Sequence, residues 1–129
     1  MISFLAEDAS CKVYALYENT YLKLKSHSSN QNDYEKQDLL ICCHYGDPSA
    51  AIILPGYIIV AGCGLTIFDL EKQEETSFFN EPDSIVWTNG LYQDGMDSPL
   101  EFRYVALTDN EKLRVFKMNA LTKEVMQLD

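Results

Sequence analysis

Between Asp47 and Asp69 the chain carries no charged side chain, and the stretch GDPSAAIILPGYIIVAGCGLTIFDL, Gly46 to Leu70, constrains the fold more than any other. Ile52, Ile53, Leu54, Ile58, Ile59, Val60, Leu65, Ile67 and Phe68 fall inside it. The length suits a membrane span, but Pro55-Gly56 interrupts the run, and Gly62 and Gly64 break it again. β-Branched residues dominate the intervals between these breaks. Short β-branched runs separated by turn residues read as buried strands, and a spanning helix would tolerate fewer interruptions. The expectation is a strand core around which the remaining segments arrange themselves.

The flanking segments alternate in the same way. In Cys11 to Lys25, Val13 and Ala15 alternate with Lys12, Tyr14 and Leu16, and after Asn19-Thr20 the pattern resumes through Leu22 and Leu24. This predicts an antiparallel hairpin turning at Asn19-Thr20. Ser26 to Asp38 reads as a solvated loop, Leu39 to Tyr45 as a short strand, and Gly46 to Ser49 as a turn. Ser84 to Trp87 predicts another short strand ending near Asn89-Gly90. Glu101 to Thr108 and Lys112 to Met118 form the clearest hairpin, and Glu124 to Leu128 a last short strand. Together these predict one domain over residues 1–129, mainly β (or α+β with one short helix), built from twisted antiparallel sheet as a sandwich-like or half-barrel unit.

One internal echo is present. Leu65-Thr66-Ile67-Phe68-Asp69-Leu70 aligns with Leu113-Arg114-Val115-Phe116-Lys117-Met118 at an offset of 48 residues. Repeats of that period belong to propeller blades, but two units do not close a ring. The echo therefore reads as two similar units in one sheet system; an incomplete propeller-like module that assembles as an oligomer is the competing expectation.

Charge narrows the function. The net charge of −10 disfavours nucleic acid and anionic membrane surfaces, both of which need lysine and arginine. It suits a basic protein partner. The acidity is local: residues 69–101 hold nine acids and one base, whereas residues 102–129 hold four acids and five bases. Trp87, Tyr92, Phe78 and Phe79 lie among Asp69, Glu71, Glu74, Glu75, Glu81, Asp83, Asp94 and Asp97. Aromatic anchors among charges of one sign suit an interface, although a tryptophan is also a natural core residue. The candidate partner-binding set is Asp69, Glu71, Glu74, Glu75, Glu81, Asp83, Trp87, Tyr92, Asp94 and Asp97.

No catalytic signature accompanies them. Gly62-Cys63-Gly64 lacks the third glycine of a phosphate loop, since Ile67 stands there, so the glycines read as a bulge or a tight bend between two buried strands. Cys43 and His44 are strand neighbours whose side chains diverge. Cys11, Cys42, Cys43 and Cys63 show no chelating spacing and read as free thiols, and the chain opens without a basic, apolar leader. Neither a cofactor nor a metal is expected, and the compartment that fits is the cytoplasm. A different class of function would place a ligand-binding or enzymatic pocket near His44 and Gly62 to Gly64.

GLTIFDLEKQEETSFFNEPDSIVWTNGLYQD, followed by EFRYVALTDNEKLRVFKMNALTKEV, resembles the carboxy-terminal half of small bacterial immunity proteins, which neutralise polymorphic toxins including contact-dependent growth inhibition effectors. The resemblance covers residues 57–128 and carries over no residue role. It implies a cytoplasmic, non-enzymatic protein. As a monomer it would bind one cognate toxin domain, often a basic nuclease, and occlude its active site.

Overall fold

The computed structural model describes residues 2–24, 38–44, 46–79, 85–93, 98–108 and 112–128. Twelve strands follow one another: β1 (Ile2–Glu7), β2 (Cys11–Leu16), β3 (Asn19–Leu24), β4 (Leu39–Cys43), β5 (Ala50–Leu54), β6 (Tyr57–Gly62), β7 (Gly64–Asp69), β8 (Glu74–Phe78), β9 (Ile85–Gln93), β10 (Glu101–Thr108), β11 (Leu113–Asn119) and β12 (Val125–Gln127). They form three four-stranded antiparallel meanders, β1-β2-β3-β4, β5-β6-β7-β8 and β9-β10-β11-β12. Within each sheet the strands pair in sequence order. No helix occurs among the described residues, and the short helix left open by the sequence is absent there.

The sheets stack face to face with the second in the middle. Ile58, Val60 and Phe68 of the second sheet pack with Cys11, Val13, Leu22, Ile41 and Cys42 of the first. On the opposite face Tyr57, Ile59, Leu65 and Ile67 pack with Phe102, Tyr104, Ala106 and Met118 of the third. Period-2 alternation divides β6 and β7 between the two cores, and both strands are therefore buried nearly throughout. The charge-free stretch is this middle layer. A strand covered on both sides has no face on which a charge could meet water. No described helix is long and apolar enough to cross a membrane.

The stacking also corrects the reading of the repeat. Leu65 to Leu70 lies in and just beyond β7 of the second sheet, and Leu113 to Met118 lies in β11 of the third, so the two units belong to successive sheets. The first strands of the sheets line one side of the stack, β1 beside β5 and β5 beside β9.

Local differences from expectation have local causes. The β2–β3 turn is Tyr17-Glu18, with Tyr17 at φ 55°, and Asn19-Thr20 already pair with Leu16 and Ala15. β9 does not stop at Asn89-Gly90. Gly90 takes φ 64°, the register against β10 shifts between Arg103 and Val105, and the strand continues to Gln93. An Asn-Gly pair satisfies a β-bulge as well as a turn, because both need a positive φ. β1 and β8 were not anticipated. The expected loop over 26–38 and the turn over 109–111 lie outside the described residues, apart from Asp38. At Gly62-Cys63-Gly64 the expected tight bend is present, with Gly62 and Gly64 paired across it at φ 155° and 139°. A Cβ on Gly64 would stand 2.5 Å from Phe79 Cδ1, so only glycine fits.

Candidate functional site

Among the described residues of the candidate set, Asp69, Glu71, Glu74 and Glu75 belong to the second sheet and its β7–β8 turn, whereas Trp87 and Tyr92 belong to the third. Asp69 ends β7, and its Oδ1 accepts the backbone N–H groups of Glu71 at 2.9 Å and Lys72 at 3.0 Å. This carboxylate-capped turn, completed by Gln73 at φ 55°, holds Glu71, Glu74 and Glu75 in solvent at the end of the second sheet. Trp87 and Tyr92 are on β9, where Trp87 pairs with Leu107 and Tyr92 with Arg103. Both point away from the second sheet, Trp87 half-buried and Tyr92 exposed. The Arg103 guanidinium lies 5.8 Å from the Tyr92 ring centre, which sets a base beside that ring. Glu81, Asp83, Asp94 and Asp97 lie outside the described residues.

Phe78 and Phe79 are not surface anchors. Phe78 packs against the core between the second and third sheets. Phe79 sets its ring edge against His44, with centroids 5.7 Å apart, and crowds Gly64. Sequence spacing placed them among acids, but Phe78 pairs with Leu65 and follows that residue inward.

His44 sits in the connection from β4 to β5 and is buried. Its Nε2 is 2.8 Å from Thr66 Oγ1, which is 2.8 Å from Ser77 Oγ, which donates to Glu75 Oε2 at 2.9 Å. An ionised carboxylate only accepts, so the chain has one polarity: His44 Nε2–H donates to Thr66, Thr66 to Ser77, Ser77 to Glu75. Nδ1 is then a bare acceptor, and it has no hydrogen-bond partner. A Cβ on Gly62 would come within 3.2 Å of it, so no ligand space adjoins that atom on the Gly62 side. Burial holds the His44 pKa below its ordinary value and keeps the ring neutral. The arrangement ties the β4–β5 connection to the second sheet.

Thr88 makes the corresponding tie from the third sheet. Its buried Oγ1 accepts the Gly62 N–H at 3.0 Å and donates to the Gly64 carbonyl, while its own carbonyl accepts the Ser49 hydroxyl at 3.0 Å. Sequence reading missed Thr66, Ser77 and Thr88. Thr66 was the findable one, as the only hydroxyl among the apolar side chains from Leu65 to Phe68.

Other chemistry is sparse among the described residues. A shallow cavity of about 360 Å³ lies between the first strands of the sheets, lined in part by Glu7, Asp8, Ile52, Leu54 and Gln93. The Ser10 backbone N–H holds the Asp8 carboxyl below its usual range. All four cysteines are free, with Cys42 buried and Cys43 exposed as their opposite faces require. Burial pushes the Cys42 thiol up to about 11, which makes it inert. The described residues contain no cluster of histidine, cysteine and carboxylate able to hold a metal. No protein-family model, no curated protein and no solved structure matches this chain.

Proposed function

We propose that the protein is an acidic inhibitor of the immunity type, which binds a basic bacterial toxin domain of the nuclease kind and covers its active site. The observation that carries this reading is the β7–β8 hairpin. Glu71, Glu74 and Glu75 project into solvent from a turn fixed by Asp69, at the end of a sheet whose two faces are both in the core. Rigid placement lowers the ordering cost of binding. A net charge of −10 adds long-range attraction for a cationic partner. A nuclease must be positive where it meets phosphates, and carboxylates on a rigid hairpin can occupy that groove in their place. The resemblance of residues 57–128 to immunity proteins points to the same class of partner.

The test is growth rescue. The chain is co-expressed with the carboxy-terminal domain of a large secreted protein encoded immediately upstream. Rescue, with a stable complex on mixing, is the expected result, and Glu71→Lys with Glu74→Lys then weakens the complex and reduces its salt sensitivity. Failure of both rescue and complex formation would overturn the reading. Equal affinity in the reversed variant would move the contact surface off the hairpin.

A further inference from the structure

β8 is the last strand of the second sheet and pairs with β7 alone, so one of its edges is open. Alternation along the ladder decides which residues face that edge. The Leu70 N–H donates to the Gly56 carbonyl at 3.0 Å, which makes these two a hydrogen-bonded pair. The register then turns the backbone groups of Thr66 and Phe68 toward β6. Leu65, Ile67 and Asp69 turn theirs toward β8, where they meet Phe78, Thr76 and Glu74. Glu75 and Ser77 are left with N–H and C=O pointing out of the sheet, and neither has a backbone partner there among the described residues. The next outward carbonyl, that of Phe79, accepts the Ile85 N–H at 3.3 Å, in agreement with this frame.

The side chains along the edge carry one sign of charge on both faces of the sheet. Glu75 lies opposite Phe68 on the face toward the first sheet, and Glu74 lies opposite Asp69 on the face toward the third. Both are exposed, as is Thr76 between them and Ser77. β4 and β12, the last strands of the other two sheets, contain no charged residue. The β8 edge is also held in place. Ser77 Oγ bonds to both Thr66 Oγ1 and Glu75 Oε2, and the Asp69-capped turn fixes the other end of the strand. An open edge strand invites pairing with any extended chain, and charges on it select among the candidates. Glutamates on both faces repel a second β8 and attract a strand with a base on each face.

We infer that the outer edge of β8 is a strand-addition site, which takes an extended segment of a partner protein with two consecutive lysines or arginines. The partner's backbone bonds to the outward N–H and C=O groups of Glu75 and Ser77. Successive side chains of a strand point to opposite faces, so one base meets Glu75 and the next meets Glu74. This site presupposes that the β7–β8 hairpin is the contact surface for a cationic partner. It specifies main-chain pairing, where charge alone would leave the partner's orientation open.

Amide spectra of the isotope-labelled protein with three end-blocked peptides test this without any toxin. The first peptide has two central lysines flanked by threonine and valine. The second is the same peptide N-methylated at every inner amide, and the third has glutamates in place of the lysines. The first should shift the Glu75 and Ser77 amide signals and slow their hydrogen exchange. The second keeps the charge and loses the pairing, so it should bind about tenfold more weakly. The third should not bind. Equal binding of the first two would overturn strand addition and leave the acidic hairpin as a contact surface. Strand addition would also be overturned by shifts confined to β4 or β12, or by no binding of the first peptide at millimolar concentration. Growth rescue reads the inhibitor function separately, so that reading can fail while the peptide still pairs with β8.

Discussion

The second and third sheets share a strand pattern and differ in what covers them. Leu65, Ile67 and Phe68 recur as Leu113, Val115 and Phe116 at the offset of 48. Phe68 and Phe116 do the same work, each packing toward the preceding sheet. Leu65 and Ile67 are sealed beneath the third sheet, while Leu113 and Val115 occupy the equivalent positions on an outward face. Closely matched side chains at the same register thus end as core or as surface according to what covers their sheet. Burial here belongs to the position in the stack, and only its possibility belongs to the strand.

Substitutions at matched places sharpen that contrast. The largest effect is expected at the glycine bends. Gly64→Ala places a Cβ against the Phe79 ring at φ 139° and should lower stability by about 4 kcal/mol, from strain and overpacking together. Gly90→Ala, at φ 64° with Val105 Cγ2 at 3.4 Å, should cost only about 1 kcal/mol. Urea unfolding midpoints of the two variants decide it, and equal shifts would mean that the two bends bear equal constraint.

Next come the paired aliphatic residues. Ile67→Ala removes a fully buried side chain and should cost about 3 kcal/mol. Val115→Ala should cost about 1 kcal/mol or less, because its face is partly in water. Matching losses would contradict the difference in cover between the two sheets.

The buried hydroxyl relay is a smaller lever. Thr66→Val leaves the His44 Nε2–H without an acceptor and should cost about 2 kcal/mol. The same histidine gives a pH dependence of fixed sign. Its folded pKa lies below the ordinary 6.5, so as pH falls through 6.5 the unfolded chain takes up a proton that the folded chain does not. The stability contributed by neutral His44 is therefore complete above that pH and declines below it, until the lower folded pKa is reached. Denaturant titrations between pH 7.5 and 5.5 (roughly one unit either side of the ordinary imidazole value) should show this slope in the parent and lose it in His44→Phe.

Smallest of all is the acidic hairpin. Glu71→Lys and Glu74→Lys should each move stability by less than about 0.5 kcal/mol, since both side chains are exposed. A loss of several times that size would show the hairpin to be structural and would weaken its assignment as a contact surface.

The candidate surface was less legible in the sequence than the fold. Asp69, Glu71, Glu74 and Glu75 could be grouped because a hairpin turn keeps near neighbours in sequence near in space. Trp87 and Tyr92 were grouped with them on sequence distance alone, and a new sheet begins between the two sets. Phe78 and Phe79 went inward for a similar reason: the register of β8 against β7 decides their facing, and β8, with Glu74 and Glu75 at its start, has no apolar alternation to announce a strand. Thr66, Ser77 and Thr88 were missed because the partners that tie their hydroxyls to other strands lie 11 to 26 residues away.

The sequence by itself determined that the chain is antiparallel β with free thiols, that its charge-free middle is the most buried part, and that Gly62 and Gly64 make a tight bend. These are local matters: alternation fixes the two faces of a strand, and a tight turn pairs the two strands it joins. Only the tertiary structure decided that twelve strands divide into three sheets, that the second lies between the others, and that matching residues are core in one and surface in the next. Sheet stacking joins residues far apart in the chain through contacts that leave no period of their own, so the faces are written in the sequence and what covers them is not.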